Sequence, residues 1–538
     1  MRIPTMTLTP SLRSRLLATA AAVLIGTAAL SPALADPQPG HVLQAVVNPE
    51  PAFLVSAHNP VGGALQVSSK IFEGLLTYDL DMNLQPALAE RWEVAEDGLS
   101  VTFHLRPGVT WHDGEPFTSA DVAFTAMEIW KTMHPRNRVN MAHVTAVDTP
   151  DELTAIFRLD QPVPFLLSIL NGGESQVVPQ HIYDGEDIAR NLVELSPVGT
   201  GPFQLQEWRR GEAVILERYD GYWQEGRPYL DGIVFRIIPD EAARATAFET
   251  GELEFGSFSP VSPCTAQRLG ELDHIDIETR GYDFFGTIFM LELNLRDEVL
   301  AHREVRQALA HAIDRDFILD AIWCGFGTPT TGPIPPQLTE FYTADVPTYP
   351  FDPAAAEALL DAAGFPRGEN GVRFTMTHDP LPFGPNFVRT AEVVKQNLAD
   401  IGIEVEIRTQ DTPTYLRRIY TDYDFDMSST TLSALPDPTL GVQRLYWSEN
   451  IVQGVPFSNG TGYSNPEMDA ILVATQTENN PERRAELFRQ MQVIAQTDLP
   501  ILDLFVMQQT TVYDTRLRNH TTQADGYPTL AEAYWEEN

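Results

Sequence analysis

Residues 71–125 read IFEGLLTYDLDMNLQPALAERWEVAEDGLSVTFHLRPGVTWHDGEPFTSADVAFT. Val101, Phe103 and Leu105 are apolar at every second position, the mark of a strand with one face buried. Asp97-Gly98, Pro107-Gly108 and Asp113-Gly114 are turn dipeptides, because glycine takes positive φ without steric cost. Ser119 is then expected to cap a helix running through Thr125 and beyond. Closely spaced strands that give way to a helix point to a mixed α/β chain.

Outward from this block the same alternation continues. A strand is expected at 43–47 (LQAVV), followed by a loop ending in His58-Asn59-Pro60. The stretches VTAVDTP and LTAIFRL, at 144–150 and 153–159, read as a strand pair. A strand-rich stretch over 197–240 leads into a helix at 241–250. Residues 304–322 read as one amphipathic helix, with Val305, Leu309, Ile313 and Phe317 four apart. Asp352-Pro353 opens a helix that ends at Gly364. A strand at 372–377, a helix at 386–400 and a strand at 403–407 form a βαβ unit and hence a parallel pair. Asn480-Pro481 opens a further helix, and 500–512 returns as strand. The expected layout is a first α/β lobe over 36–285, with a strand-rich subdomain at about 66–195. A second lobe covers 286–497, and 498–538 returns through a hinge to the first.

The chain has 538 residues and a net charge of −38. That length exceeds one ordinary core and fits two or three lobes. The acidity excludes nucleic acid as a natural partner, since phosphates select Lys and Arg, and it disfavours anionic membrane surfaces. At the N-terminus, Arg2, Arg13 and Arg15 precede an apolar run at 16–30 and the small-x-small site Ala33-Leu34-Ala35. Residues 1–35 are therefore expected to be a signal peptide cleaved after Ala35. With no Cys near that site, a soluble periplasmic protein of a Gram-negative cell is expected. Cys264 and Cys324 are the only cysteines. Both a disulfide and two buried thiols remain open, because sequence does not show whether their Cα atoms approach.

The combination PALAERWEV, EDGLSVTFHLRPGVTWHDGEPFT and DV closely resembles the extracytoplasmic solute-binding proteins of family 5, the peptide/nickel-type receptors that feed ABC importers. Further similar blocks are NLRDEVLAHREVRQALAHAIDR, YPFDPAAAEALLDAAGFP, LADIGIEVEI and GYSNPEMDAIL, so the resemblance spans nearly the whole chain. It implies a two-lobed periplasmic binding protein fold of type II, with an extra subdomain in the first lobe and a two-stranded hinge. It also implies a monomeric receptor that binds a small organic or peptide-like ligand between its lobes. That receptor would deliver the ligand to permease subunits driven by cytoplasmic ATPases. The alternatives are a secreted hydrolase on a related scaffold and a periplasmic peptide chaperone or sensor.

Chemistry-bearing motifs are sparse. Asp79-x-Asp81-x-Asn83 with Glu90 imitates a calcium loop, but Leu84 stands where that loop needs glycine, and a hairpin turn is the better reading. His104 and His112 have no partner at metal-ligand spacing and read as structural. The chain has no Gly-x-Ser-x-Gly elbow, His-Glu-x-x-His helix or P-loop. No cofactor, metal or catalytic residue is expected.

Binding candidates come from aromatic and polar residues near the expected cleft. They are His58, Asn59, Phe258, Phe284, Phe285, Tyr446 and Trp447. The resemblance adds three more. Dipeptide-type relatives carry a Trp-x-x-Asp-x-x-Asp/Glu-Pro pattern, which falls here on Thr431, Ala434 and Asp437-Pro438 within TTLSALPDP. Their acid for the ligand ammonium is replaced by Ala434, and their Arg for the ligand carboxylate by Leu381. Asp437 or Arg389 would be the substitute anchors. This pattern implies a ligand larger, capped or less charged than a free dipeptide.

Overall fold

The computed structural model describes residues 37–185 and 196–537. The expected signal peptide lies outside the described residues.

Two large sheets carry the architecture. The first has seven strands, in the order Ile275–Glu278, Thr511–Asp514, Phe255–Gly256, Val42–Val47, Gly232–Ile237, Ala213–Arg218 and Phe203–Arg209. Its centre is parallel: Val42–Val47 runs beside Gly232–Ile237, with Leu43 opposite Ile233 and Ala45 opposite Phe235, all four buried. The second has six strands, in the order Gly327–Pro329, Ile501–Met507, Thr287–Leu293, Met427–Ser433, Phe374–Pro380 and Ile403–Ile407. The expected βαβ unit is here: Phe374–Pro380 pairs parallel with Ile403–Ile407 across the helix Pro385–Asp400.

Inserted into the first part is a small antiparallel sheet of Ala89–Val94, Ser100–Leu105, Thr154–Leu159 and Val144–Asp151. Ser100–Leu105 alternates as expected: Val101, Phe103 and Leu105 are buried, while Ser100, Thr102 and His104 are half-exposed. Phe103 meets Phe157 of the neighbouring strand at 5.3 Å. The calcium-loop imitation is a hairpin turn, in which Asp79 Oδ1 accepts from the backbone N–H groups of Asp81 and Asn83 at 3.0 and 2.9 Å. His112 is structural. Its ring bonds the backbone at Gly199 and Gly201, and burial lowers its pKa to about 4.

Three local expectations need correction. Thr118, not Ser119, is the cap; it forms a reciprocal box with Asp121, while Ser119 Oγ donates to Asp151 O at 2.6 Å. The helix expected over 304–322 is two helices, Arg303–Ala312 and Arg315–Ile322. Asp314 breaks it by accepting from Phe317 N at 2.9 Å, satisfying an N–H that a new helix start leaves unpaired. The apolar run at 500–512 spans two sheets. Ile501–Met507 pairs with Thr287–Leu293 in the second, and Thr511–Asp514 with Ile275–Glu278 in the first. The return therefore falls at 508–510, not at 498.

The chain thus crosses between the sheets at 279–286 and again at 508–510. Backbone hydrogen bonds hold the second crossing: Ser259 N–H donates to Thr510 O at 2.7 Å and Gln508 N–H to Phe326 O at 3.3 Å. Cys264 and Cys324 are disulfide-bonded, with Cα atoms 5.3 Å apart, which settles the open pairing. Cys264 lies on Pro263–Leu269, whose Ala266 and Leu269 pack with Val46 and Val512 of the first sheet. Cys324 follows Arg315–Ile322, whose Ile318 and Leu319 pack with Phe289 and Leu502 of the second. The bridge therefore ties the packing of one sheet to that of the other, beside a crossing.

Candidate functional site

Between the two sheet systems lies a cavity of about 530 Å³. Its floor comes from strand ends. Along Met427–Ser433 the buried residues give way to half-exposed Thr431 and Ser433, two apart and so on one face. Thr287 pairs with Ser433 across the ladder, and their hydroxyls lie 3.1 Å apart. The cavity thus has a hydroxyl floor.

Its walls are aromatic. Phe285, on the first crossing, meets Phe284 and Phe258 at 5.3 Å each and Tyr527 at 5.9 Å. Phe258 stacks on Tyr527 at 4.6 Å and backs the Phe285 ring. Phe457 enters from the second part. Phe383, which ends the loop before Pro385–Asp400, remains 59% exposed at the cavity edge. An aromatic ring left this open is an unfilled contact surface.

Its charges come from both sides. Arg136 binds Glu174 in a two-pronged pair, with Nε to Oε2 at 2.8 Å and Nη2 to Oε1 at 2.5 Å. The Glu174 side chain is nearly inaccessible. Arg444, on the short helix Gln443–Tyr446, lines the other side. Its Nε is buried without a hydrogen-bond partner. Burial, and then the like charge of Arg136, push its pKa below the usual guanidinium value.

A second cavity of about 640 Å³ lies between the small sheet's surroundings and residues 337–341 and 436–437. Asp437 faces it already engaged: it holds Arg484 in a two-pronged buried pair, with Nη2 to Oδ1 at 2.7 Å, and accepts from Thr439 N at 2.9 Å. That carboxylate is already matched by Arg484, whereas the smaller cavity sets an unmatched guanidinium among aromatic walls, so the smaller cavity is the better ligand site.

The expected site residues divide sharply. Phe285 lines the smaller cavity, with Phe258 and Phe284 packed behind it. Thr431 also lines it. His58 and Asn59 do not; Gly62, the first residue of the helix Gly62–Ser68 that follows their loop, does. His58 packs on Phe53 at 5.1 Å, and burial lowers its pKa. Leu381 and Ala434 are fully buried in the cores flanking the second sheet, so neither is a vacated anchor position at the cavity wall. Tyr446 is buried, Trp447 packs on the same core, and Arg389 is exposed. Arg136, Glu174, Phe383, Arg444 and Phe457 were missed. In sequence, Phe383 lies close to Leu381, and Arg444 lies between Asp437 and Tyr446. Among the described residues no three His, Cys, Asp or Glu side chains gather as a metal site. Nor, among them, is any helix long and apolar enough to cross a membrane.

Comparison with known proteins gives a consistent picture. A family model described as bacterial extracellular solute-binding proteins, family 5, matches residues 83–454. The glutathione-binding protein GsiB of Salmonella paratyphi A is 28% identical over 471 residues, covering 84% of this chain and 86% of that one. The dipeptide-binding protein of Escherichia coli K12 is 29% identical over 452 residues, covering 80% and 81%. The structure of the ABC transporter substrate-binding protein CtaP from Listeria monocytogenes superposes with a TM-score of 0.81 at 25% identity. That match covers 93% of this chain and all of that one.

Proposed function

The chain belongs to the bacterial extracellular solute-binding proteins of family 5, and on that premise we propose that it is the periplasmic receptor of a peptide-type ABC importer. It captures a peptide-like or other small organic solute and hands it to membrane permease subunits. The observation that carries the reading is the cavity between two sheet-built lobes, lined by both and walled in part by Phe285 of the first crossing. A site built this way closes when the lobes rotate about the crossings, and closure buries the ligand. The relatives that bind glutathione and dipeptides support a peptide-like ligand class. We further propose that the protein works as a monomer and without turnover, and that 1–35 directs its export and is removed after Ala35.

Native mass spectrometry of protein purified without refolding tests this reading. The expected result is a one-to-one complex with a small organic compound, recovered unaltered on release. Conversion of that compound by the isolated protein would overturn the receptor reading in favour of an enzyme.

A further inference from the structure

The charge balance of the cavity points to the chemistry of its ligand. Arg136 and Glu174 neutralise each other in a bidentate pair. Arg444 has no hydrogen-bond or ion-pair partner among the described residues, and its Nε is shut off from water. A guanidinium does not escape this situation by losing its proton. Arg444 as a whole is half-buried, so its terminal nitrogens stay open to a counter-charge that the protein itself does not supply. The site therefore holds a net charge of about +1, in a chain whose net charge is −38. The fork of a guanidinium matches a carboxylate in two parallel hydrogen bonds. Around it the cavity offers three hydroxyls and three aromatic rings, one of them exposed.

We propose that the ligand carries a carboxylate that pairs with Arg444, and an apolar body that packs on Phe285, Phe383 and Phe457. The proposal rests on the receptor reading and narrows it. It departs from the expectation of a less charged ligand, because the cation lies on a different element from the position where Leu381 stands. One guanidinium with neutral hydroxyls suits a carboxylate better than a phosphate, whose higher charge calls for more donors.

Calorimetric titration decides it, using N-acetylated and free dipeptides of Phe, Leu and Ala, each as the C-terminal acid and as the amide. Acids are expected to bind at least tenfold tighter than their amides. Arg444→Met should remove that gap by weakening the acids alone, and Arg444→Lys, which keeps the charge but not the fork, should restore part of it. Inorganic phosphate at millimolar concentration should not displace a bound acid. Equal binding of acids and amides, or a gap that survives Arg444→Met, overturns the proposal and leaves the receptor reading intact. Displacement by phosphate overturns the carboxylate assignment. Absence of binding by every member overturns the proposal together with the peptide-receptor reading.

Discussion

Asp437 and Arg484 lie almost wholly buried against each other, and that fixes what a substitution there does. Removing one partner leaves the other charged and unmatched, at a cost of about 3–5 kcal/mol. Asp437→Ala is therefore expected to lower the urea midpoint strongly while acid binding at Arg444 persists in the folded fraction. Lost binding at unchanged stability would instead return Asp437 to the ligand site. Glu292 makes a different prediction. It is fully buried on Thr287–Leu293, with one donor, Tyr420 OH, at 3.2 Å. Burial raises its pKa to about 8. The folded state then holds a proton that the unfolded chain releases near 4.5. Its stabilising contribution is whole below pH 4.5 and is lost as pH rises through 8. Glu292→Gln keeps the shape and removes the titration. The variant should gain on the native protein as pH rises from 5 to 8, by at most about 1.4 kcal/mol per pH unit. Urea unfolding at four pH values checks this, and a difference flat in pH would refute it.

The disulfide closes a sequence separation of 60 residues, and the segments it joins pack on different sheets. Loop-closure entropy assigns such a bridge about 4 kcal/mol. Replacing both cysteines, Cys264→Ser with Cys324→Ser, is expected to lower the urea midpoint accordingly. An unchanged midpoint would mean that the bridge restrains geometry without stabilising the fold. How well such elements could be read from sequence followed the range of the forces that form them. Strands at 100–105 and 403–407, and the caps at Asp352 and Asn480, were legible because alternation and capping act within a few residues. The change of sheet inside 500–512 was not, because one apolar run fits either sheet. The two-helix break was foreshadowed only by Asp314, a polar residue amid helical periodicity. In the cavity, Phe285 and Thr431 were within reach of sequence reasoning. The Arg136–Glu174 pair spans 38 residues and carries no periodic signal. Arg444 carries no distinguishing signal in the sequence, and only its missing partner marks it.

Two crossings and one bridge leave the lobes a restricted path to each other. The second crossing, 508–510, is tied to Ser259 on one side and Phe326 on the other. Cys264 and Cys324 join nearby segments of the same two parts. In the proposed closure, rotation about the crossings would bring Phe383, exposed at the cavity edge, toward Arg136 and Glu174, and the bridge would restrain its own flank. A ligand that pairs with Arg444 and fills the aromatic walls favours the closed arrangement by its extra contacts there, and it shifts the equilibrium only to that extent. Small-angle scattering of the native protein should give a smaller radius of gyration with the tightest-binding acid of the peptide panel than without it. The double serine variant, freed on one flank, should be larger than the native protein when empty and equal to it when saturated, since the closed contacts are the same. A radius unchanged by saturating ligand in both proteins would count against closure altogether. A variant that stays larger when saturated would show that the bridge shapes the closed state as well as the open one.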